Sequence, residues 1–82
     1  MTAATDLVLT STEAGVTTVT MNRPEALNAL SARLRNRLTE VFTDLTEDSA
    51  TEVIIFTGKG RAFTVGLDLK ELGGETAADT VV

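Results

Sequence analysis

Between Glu52 and Gly58 the chain runs Val53-Ile54-Ile55-Phe56-Thr57 with no charge and no proline. Four consecutive large apolar residues, three of them β-branched, predict a strand rather than a loop. A run without polar alternation predicts a strand covered on both faces, as in parallel pairing after a helical crossover. Such a strand needs neighbours on both edges and elements over both faces. Eighty-two residues make at most one domain and bury only about 60 to 65% of the unfolded surface. The chain therefore supplies only part of that cover, and the sequence reads as the beginning of something larger.

The segments before the run supply the partners. Leu7 to Ser11 and Val16 to Met21 are short β-rich runs separated by Thr12-Glu13-Ala14-Gly15, which predicts an antiparallel hairpin. Thr17, Val19 and Met21 share one face of the second run. Pro24 ends it, and Asn22-Arg23-Pro24-Glu25 reads as a turn. From Ser31, an N-cap residue type, to about Asp48, Leu34, Leu38, Val41, Phe42 and Leu45 fall on one helical stripe. Arg33, Arg35 and Arg37 stand near the start of this helix and Asp44, Glu47 and Asp48 near its end, against the sense of the helix dipole. The readings are an anion or subunit contact, or a solvated face on a helix held by packing; the second is favoured. The order strand, strand, helix, strand, short helix predicts an α/β fold: a ββα layer and a following buried strand. Residues 6–72 form the core of a single domain spanning 1–82, and 73–82 read as a loose tail.

Composition excludes many chemistries. The chain has no cysteine and no histidine, which rules out disulfides, thiolate nucleophiles, histidine triads and the usual zinc sites within it. Twelve acidic residues against seven basic ones give a net charge of −5, which argues against general affinity for nucleic acid or an anionic membrane. No basic leader, long apolar leader segment or 18-residue apolar stretch is present, so the default expectation is cytoplasmic. Gly58-Lys59-Gly60 lacks the spacing of a nucleotide phosphate loop.

The stretch Gly60-Arg-Ala-Phe-Thr-Val-Gly-Leu-Asp-Leu-Lys-Glu-Leu72 carries the chemistry. Asp68 and Glu71 have the spacing of a capping box at a helix start. Gly66 gives the backbone freedom for an unusual angle just before the cap. A Leu67 amide pointing outward beside the positive helix end could hold an oxygen of developing negative charge. The alternative is an ordinary loop into a short helix, with Asp68 and Glu71 serving as a cap alone.

Met21-Asn-Arg-Pro-Glu-Ala-Leu-Asn-Ala-Leu30 together with Arg61-Ala-Phe-Thr-Val-Gly-Leu-Asp-Leu-Lys-Glu-Leu72 resembles the enoyl-CoA hydratase/isomerase family, the crotonase superfamily. The resemblance covers roughly residues 6–74 and corresponds to the N-terminal portion of a member. It implies the first layer of a crotonase-like spiral fold, incomplete, and an acyl-CoA thioester substrate in fatty acid metabolism. It implies no separate cofactor, coenzyme A being part of the substrate, and a homo-oligomer in the full-length form.

The resemblance further implies a thioester enolate stabilised by two backbone N–H groups, one of them Leu67, with Gly66 making the turn. Val65 falls where a backbone carbonyl recognises adenine, and Ala26 and Leu27 flank the thioester and pantetheine path. Arg61 and Lys70 are candidates for the CoA phosphates, and Asp68 stands with them beside the site. Val65 is bulkier than the alanine of the family pattern and Thr64 is β-branched, two departures that bear on the shape of the pocket. The second oxyanion donor and the acid/base glutamates of the family lie on downstream segments, so the chain is expected to be truncated and inactive alone; Glu25, Glu71 and Glu75 receive no catalytic role. The rival readings are a noncatalytic binding or assembly module that retains the first layer, and an unfolded product of a truncated reading frame.

Overall fold

The computed structural model describes residues 6–71. β1 (Val8–Glu13) and β2 (Val16–Met21) form an antiparallel hairpin, α1 (Ala32–Thr46) crosses over, and β3 (Val53–Gly58) pairs parallel to β2. The sheet order is β1-β2-β3. Its register sets Val8 opposite Met21 and Met21 opposite Gly58, so β2 and β3 point the same way and end side by side. The loops that leave those two ends, residues 22–31 and 59–71, therefore meet.

The hairpin closes through Ala14 and Gly15, both at positive φ (51° and 83°), a two-residue connection that follows the right-handed strand twist. Because Ala14 accepts this conformation, β1 continues through Thr12 to Glu13, two residues beyond the end read from the sequence. Along β2 the buried residues alternate: Thr17, Val19 and Met21 face α1. Leu34 and Val41 of α1 close over Val8, Val19 and Met21, with Leu38, Phe42 and Leu45 around them, so the helical stripe is the core face. Thr17 is fully buried, and its hydroxyl lies 2.7 Å from those of both Thr12 and Thr51. That contact satisfies the one polar side chain of β2 that faces inward.

α1 starts at the expected cap, with the Ser31 hydroxyl accepting from the Leu34 N–H. Its first turn holds no acidic residue. The missing negative charge arrives from elsewhere, because Glu71 Oε1 accepts the Ala32 N–H at 2.7 Å and lies 3.9 Å from Arg35. Arg37 pairs with Glu40 and Asp6. Of the arginines at the start of the helix, Arg35 and Arg37 thus meet carboxylates.

β3 departs from the expectation of burial on both faces. Val53 to Phe56 remain 40–54% exposed. Among the described residues β3 pairs along one edge, and only its α1-side face has a cover. There Phe56 meets Phe42 edge-on at 5.2 Å and Phe63 at 5.1 Å. Val53 and Ile55 lie on the opposite side. An uncovered apolar strand of this kind is a template for further pairing. The 82-residue chain is accordingly expected to associate as concentration rises in sedimentation velocity, and Ile55→Lys to return it toward the monomer; a wild-type monomer throughout the micromolar range would contradict this.

Candidate active-site groove

The loop after β2 is folded around Asn28. Pro24 opens a 3₁₀ turn over Pro24–Ala26, and Leu27 and Asn28 both adopt left-handed backbone (φ 53° and 56°). Asparagine tolerates that region better than most residues because its short amide bonds locally. Here Asn28 Oδ1 accepts the Arg23 N–H at 2.8 Å, and its Nδ2 donates to the carbonyls of Lys59 (3.1 Å) and Ala62 (2.9 Å). Asn28 is fully buried. The close approach of the two loops excludes any side chain at position 58, since a Cβ on Gly58 would sit 2.7 Å from both Ala62 O and Asn28 Nδ2.

The second loop is tied to the first at three more points and to α1 at one. The Thr64 hydroxyl donates to the Asn28 carbonyl at 2.6 Å and accepts the Gly66 N–H at 3.1 Å. Leu30 N–H donates to Gly66 O at 2.8 Å, forming a parallel bridge between Leu30 and Leu67. Arg23 Nη1 reaches Asp68 Oδ2 at 2.7 Å and also donates to Ala29 O. Glu71 caps α1 as described above.

Gly66 has φ +95°, and a Cβ there would meet no atom within 4 Å; its requirement is conformational, not spatial. The expected capping box is half formed. Asp68 Oδ1 accepts the N–H groups of Lys70 (3.1 Å) and Glu71 (3.3 Å). Glu71, however, does not reach back to Asp68, because its carboxylate is engaged by Ala32. Residues beyond 71, including the expected continuation of the helix and the tail at 73–82, lie outside the described residues.

Between the two loops runs a groove of about 530 Å³. Ala26, Leu27, Val65, Leu67, Asp68 and Lys70 line it, so six of the eight residues singled out from sequence come together. Gly66 forms the bend between two of them. Arg61 is exposed and lies outside the lining. Leu67 is 45% exposed, and among the described residues no acceptor takes its N–H. Both polar backbone groups of the preceding Gly66 are engaged, so Leu67 presents the first unengaged amide after the bend. Arg23, Asn28 and Thr64 were not assigned a site role from sequence. The signal for Arg23 was its place before Pro24, where a turn was read but no partner could be named.

The Arg23 guanidinium beside Asp68, more than the two backbone N–H groups, holds the Asp68 carboxyl below the usual carboxylate range. At neutral pH Asp68 is an anion committed to Arg23, not a proton donor. Among the described residues no helix is long and apolar enough to cross a membrane, and no group of three acidic, cysteine or histidine side chains is placed to hold a metal ion.

This architecture has close relatives. The model of the family described as enoyl-CoA hydratase/isomerase matches residues 11–82, and the chain belongs to that family. A probable enoyl-CoA hydratase of Mycobacterium tuberculosis is 42% identical over 79 residues, covering 96% of this chain and 30% of the relative. A hydroxycinnamoyl-CoA hydratase-lyase of Pseudomonas fluorescens is 42% identical over 66 residues, 80% of this chain and 24% of the relative. The crystal structure of an enoyl-CoA hydratase from Mycobacterium tuberculosis superposes with a TM-score of 0.81 at 45% identity, covering 87% of this chain and 32% of that one. The fold is thus the opening ββα layer and following strand of the crotonase-type fold, and the chain spans 24–32% of the length of these relatives.

The depressed pKa of Asp68 fixes the sign of a pH effect. A carboxylate with a lower pKa in the folded state contributes stability above its unfolded value, about 3.9, and that contribution disappears as pH falls through the folded value. In thermal melts Asp68→Asn should melt below wild type at pH 7, with the gap closing below about pH 4. A gap unchanged down to the acid limit would contradict the Arg23–Asp68 assignment.

Proposed function

We propose that this segment forms the thioester-facing part of an acyl-CoA-processing active site and stabilises an enolate oxygen through the Leu67 N–H. The observation that carries the reading is the unengaged Leu67 amide at the groove, one residue beyond the Gly66 bend. When a proton leaves or adds at the carbon α to a thioester, negative charge develops on the carbonyl oxygen. A fixed backbone donor meets that charge without reorienting, which favours the transition state over the ground state. In this reading Val65 offers its carbonyl to the adenine, and Ala26 and Leu27 border the acyl and pantetheine path. Lys70 and Arg61 are the cations for the CoA phosphates, with Arg61 approaching from outside the groove. Asp68 acts by holding Arg23 and the turn at residues 69–71, not by proton transfer.

Hydration also requires a base to activate water and an acid to protonate the α-carbon. Asp68 is consumed by its ion pair, so the 82 residues alone are proposed not to complete a turnover. The relatives named as hydratase and hydratase-lyase of CoA thioesters support the substrate class. A second reading, a noncatalytic binding or assembly module, draws support from the uncovered surface of β3.

The direct test places residues 6–71 in the matching segment of the Mycobacterium tuberculosis enoyl-CoA hydratase and follows loss of the conjugated thioester absorbance of crotonyl-CoA. Leu67→Ala should retain most activity, and Leu67→Pro, which deletes the N–H, should lower turnover about 10²- to 10³-fold. The unfused chain serves as the control and should stay at background. Equal activity of the two variants, with cooperative melts and intact binding of a saturated acyl-CoA, would overturn the role of the amide.

A further inference from the structure

We infer that Thr64 is a positioning residue for the Leu67 amide, and that its hydroxyl, rather than the glycine alone, sets the direction in which that N–H points. The inference rests on the reading of Leu67 as an oxyanion donor and deepens it.

Gly66 at φ +95° lacks a Cβ and so has a wide choice of backbone angles, and a Cβ built there would meet no atom within 4 Å. A bend made of such a residue would present the next amide over a range of directions. An oxyanion donor must instead be fixed before the charge appears. The structure removes the freedom with two hydrogen bonds on either side of the glycine. Its carbonyl is held by the Leu30 N–H at 2.8 Å, and its N–H is held by the Thr64 hydroxyl at 3.1 Å. The same hydroxyl donates its proton to the Asn28 carbonyl at 2.6 Å. The direction of that donation leaves the oxygen lone pairs for the Gly66 N–H, so the two bonds are compatible and mutually polarising.

Asn28 is itself tied into both loops. It is fully buried, and its side chain makes three hydrogen bonds across the two loops. Thr64 is therefore anchored to the most fixed point of the first loop and transmits that position to the bend. Its β-branch also restricts χ1, so little rotamer freedom remains to be lost when the hydroxyl is engaged. The β-branch read from sequence as a complication for pocket shape acts here as the stiffener of the turn. Thr64 is not among the residues that line the groove; it acts through Gly66.

The test uses the 82-residue chain, isotopically labelled, with acetoacetyl-CoA as the probe, because that thioester enolises readily. Wild type and Thr64→Ser should show the Leu67 amide proton moving downfield as the probe is added. Thr64→Val, which keeps the shape and deletes the hydroxyl, should lose that shift while its melting transition stays cooperative. In the absence of probe, the Gly66 amide of Thr64→Val should exchange about five- to tenfold faster, the factor corresponding to one net hydrogen bond. The serine variant separates the hydroxyl from mere packing, since a purely structural role would follow side-chain volume. If wild type responds and Thr64→Val responds equally, Thr64 does not position the amide and the oxyanion reading stands. If wild type itself shows no Leu67 response while other groove amides shift, the oxyanion reading falls and this inference with it.

Discussion

Every feature of the groove depends on one buried amide. Asn28 sits in left-handed backbone with no exposed surface, and its three side-chain hydrogen bonds join the loop after β2 to the loop after β3. A buried primary amide with unmatched groups would destabilise the fold, so its bonds hold only while both loops keep their shape. Gly58 belongs to the same constraint, because any side chain there would strike the carbonyls and amide that Asn28 brings together. The parallel register, which ends β2 and β3 side by side at Met21 and Gly58, delivers the loops to one another. From that junction outward, Thr64, Leu30 and Arg23 place the bend at Gly66 and the carboxylate of Asp68.

Electrostatics follows the same cross-loop logic. The helix that covers the sheet carries arginines where its dipole favours anions, and no side chain of its own first turn corrects this. Glu71, at the far end of the second loop, supplies the carboxylate to the Ala32 N–H. The contact that caps α1 therefore also fixes the end of the segment bearing Leu67. Arg23 and Asp68 form a second tie between the loops, with the guanidinium bonded to a carbonyl of its own loop as well. Two ion-assisted contacts thus bracket the groove lining.

Local pattern made much of the fold legible. Alternation grouped Thr17, Val19 and Met21 on one face, which the structure buries, the helical stripe identified Leu34 and Val41, and Ser31 marked the start of α1. The segment Val53 to Phe56 was read correctly as a strand, but its exposure depends on which neighbours are present, and composition within the run carries no information about that. At the site, the motif with Gly66 and Leu67 was visible as spacing. What stayed hidden were relations between residues 30 to 45 positions apart: Asn28 with Ala62 and Thr64, Arg23 with Asp68, and Glu71 with Ala32. The capping-box spacing pointed to a local partner for Glu71, and the structure gives it a distant one because the Ala32 N–H, lacking an acidic neighbour, competes for the carboxylate.

In the proposed mechanism two cross-linked loops hold the Leu67 amide ready for a thioester oxygen. A crystal structure of the chain with acetoacetyl-CoA tests it most directly. The thioester oxygen is expected about 2.8 to 3.1 Å from Leu67 N, with the Asn28 and Thr64 hydrogen bonds unchanged. A bound thioester whose oxygen faces solvent or another donor, with Leu67 N turned away from it, would contradict it.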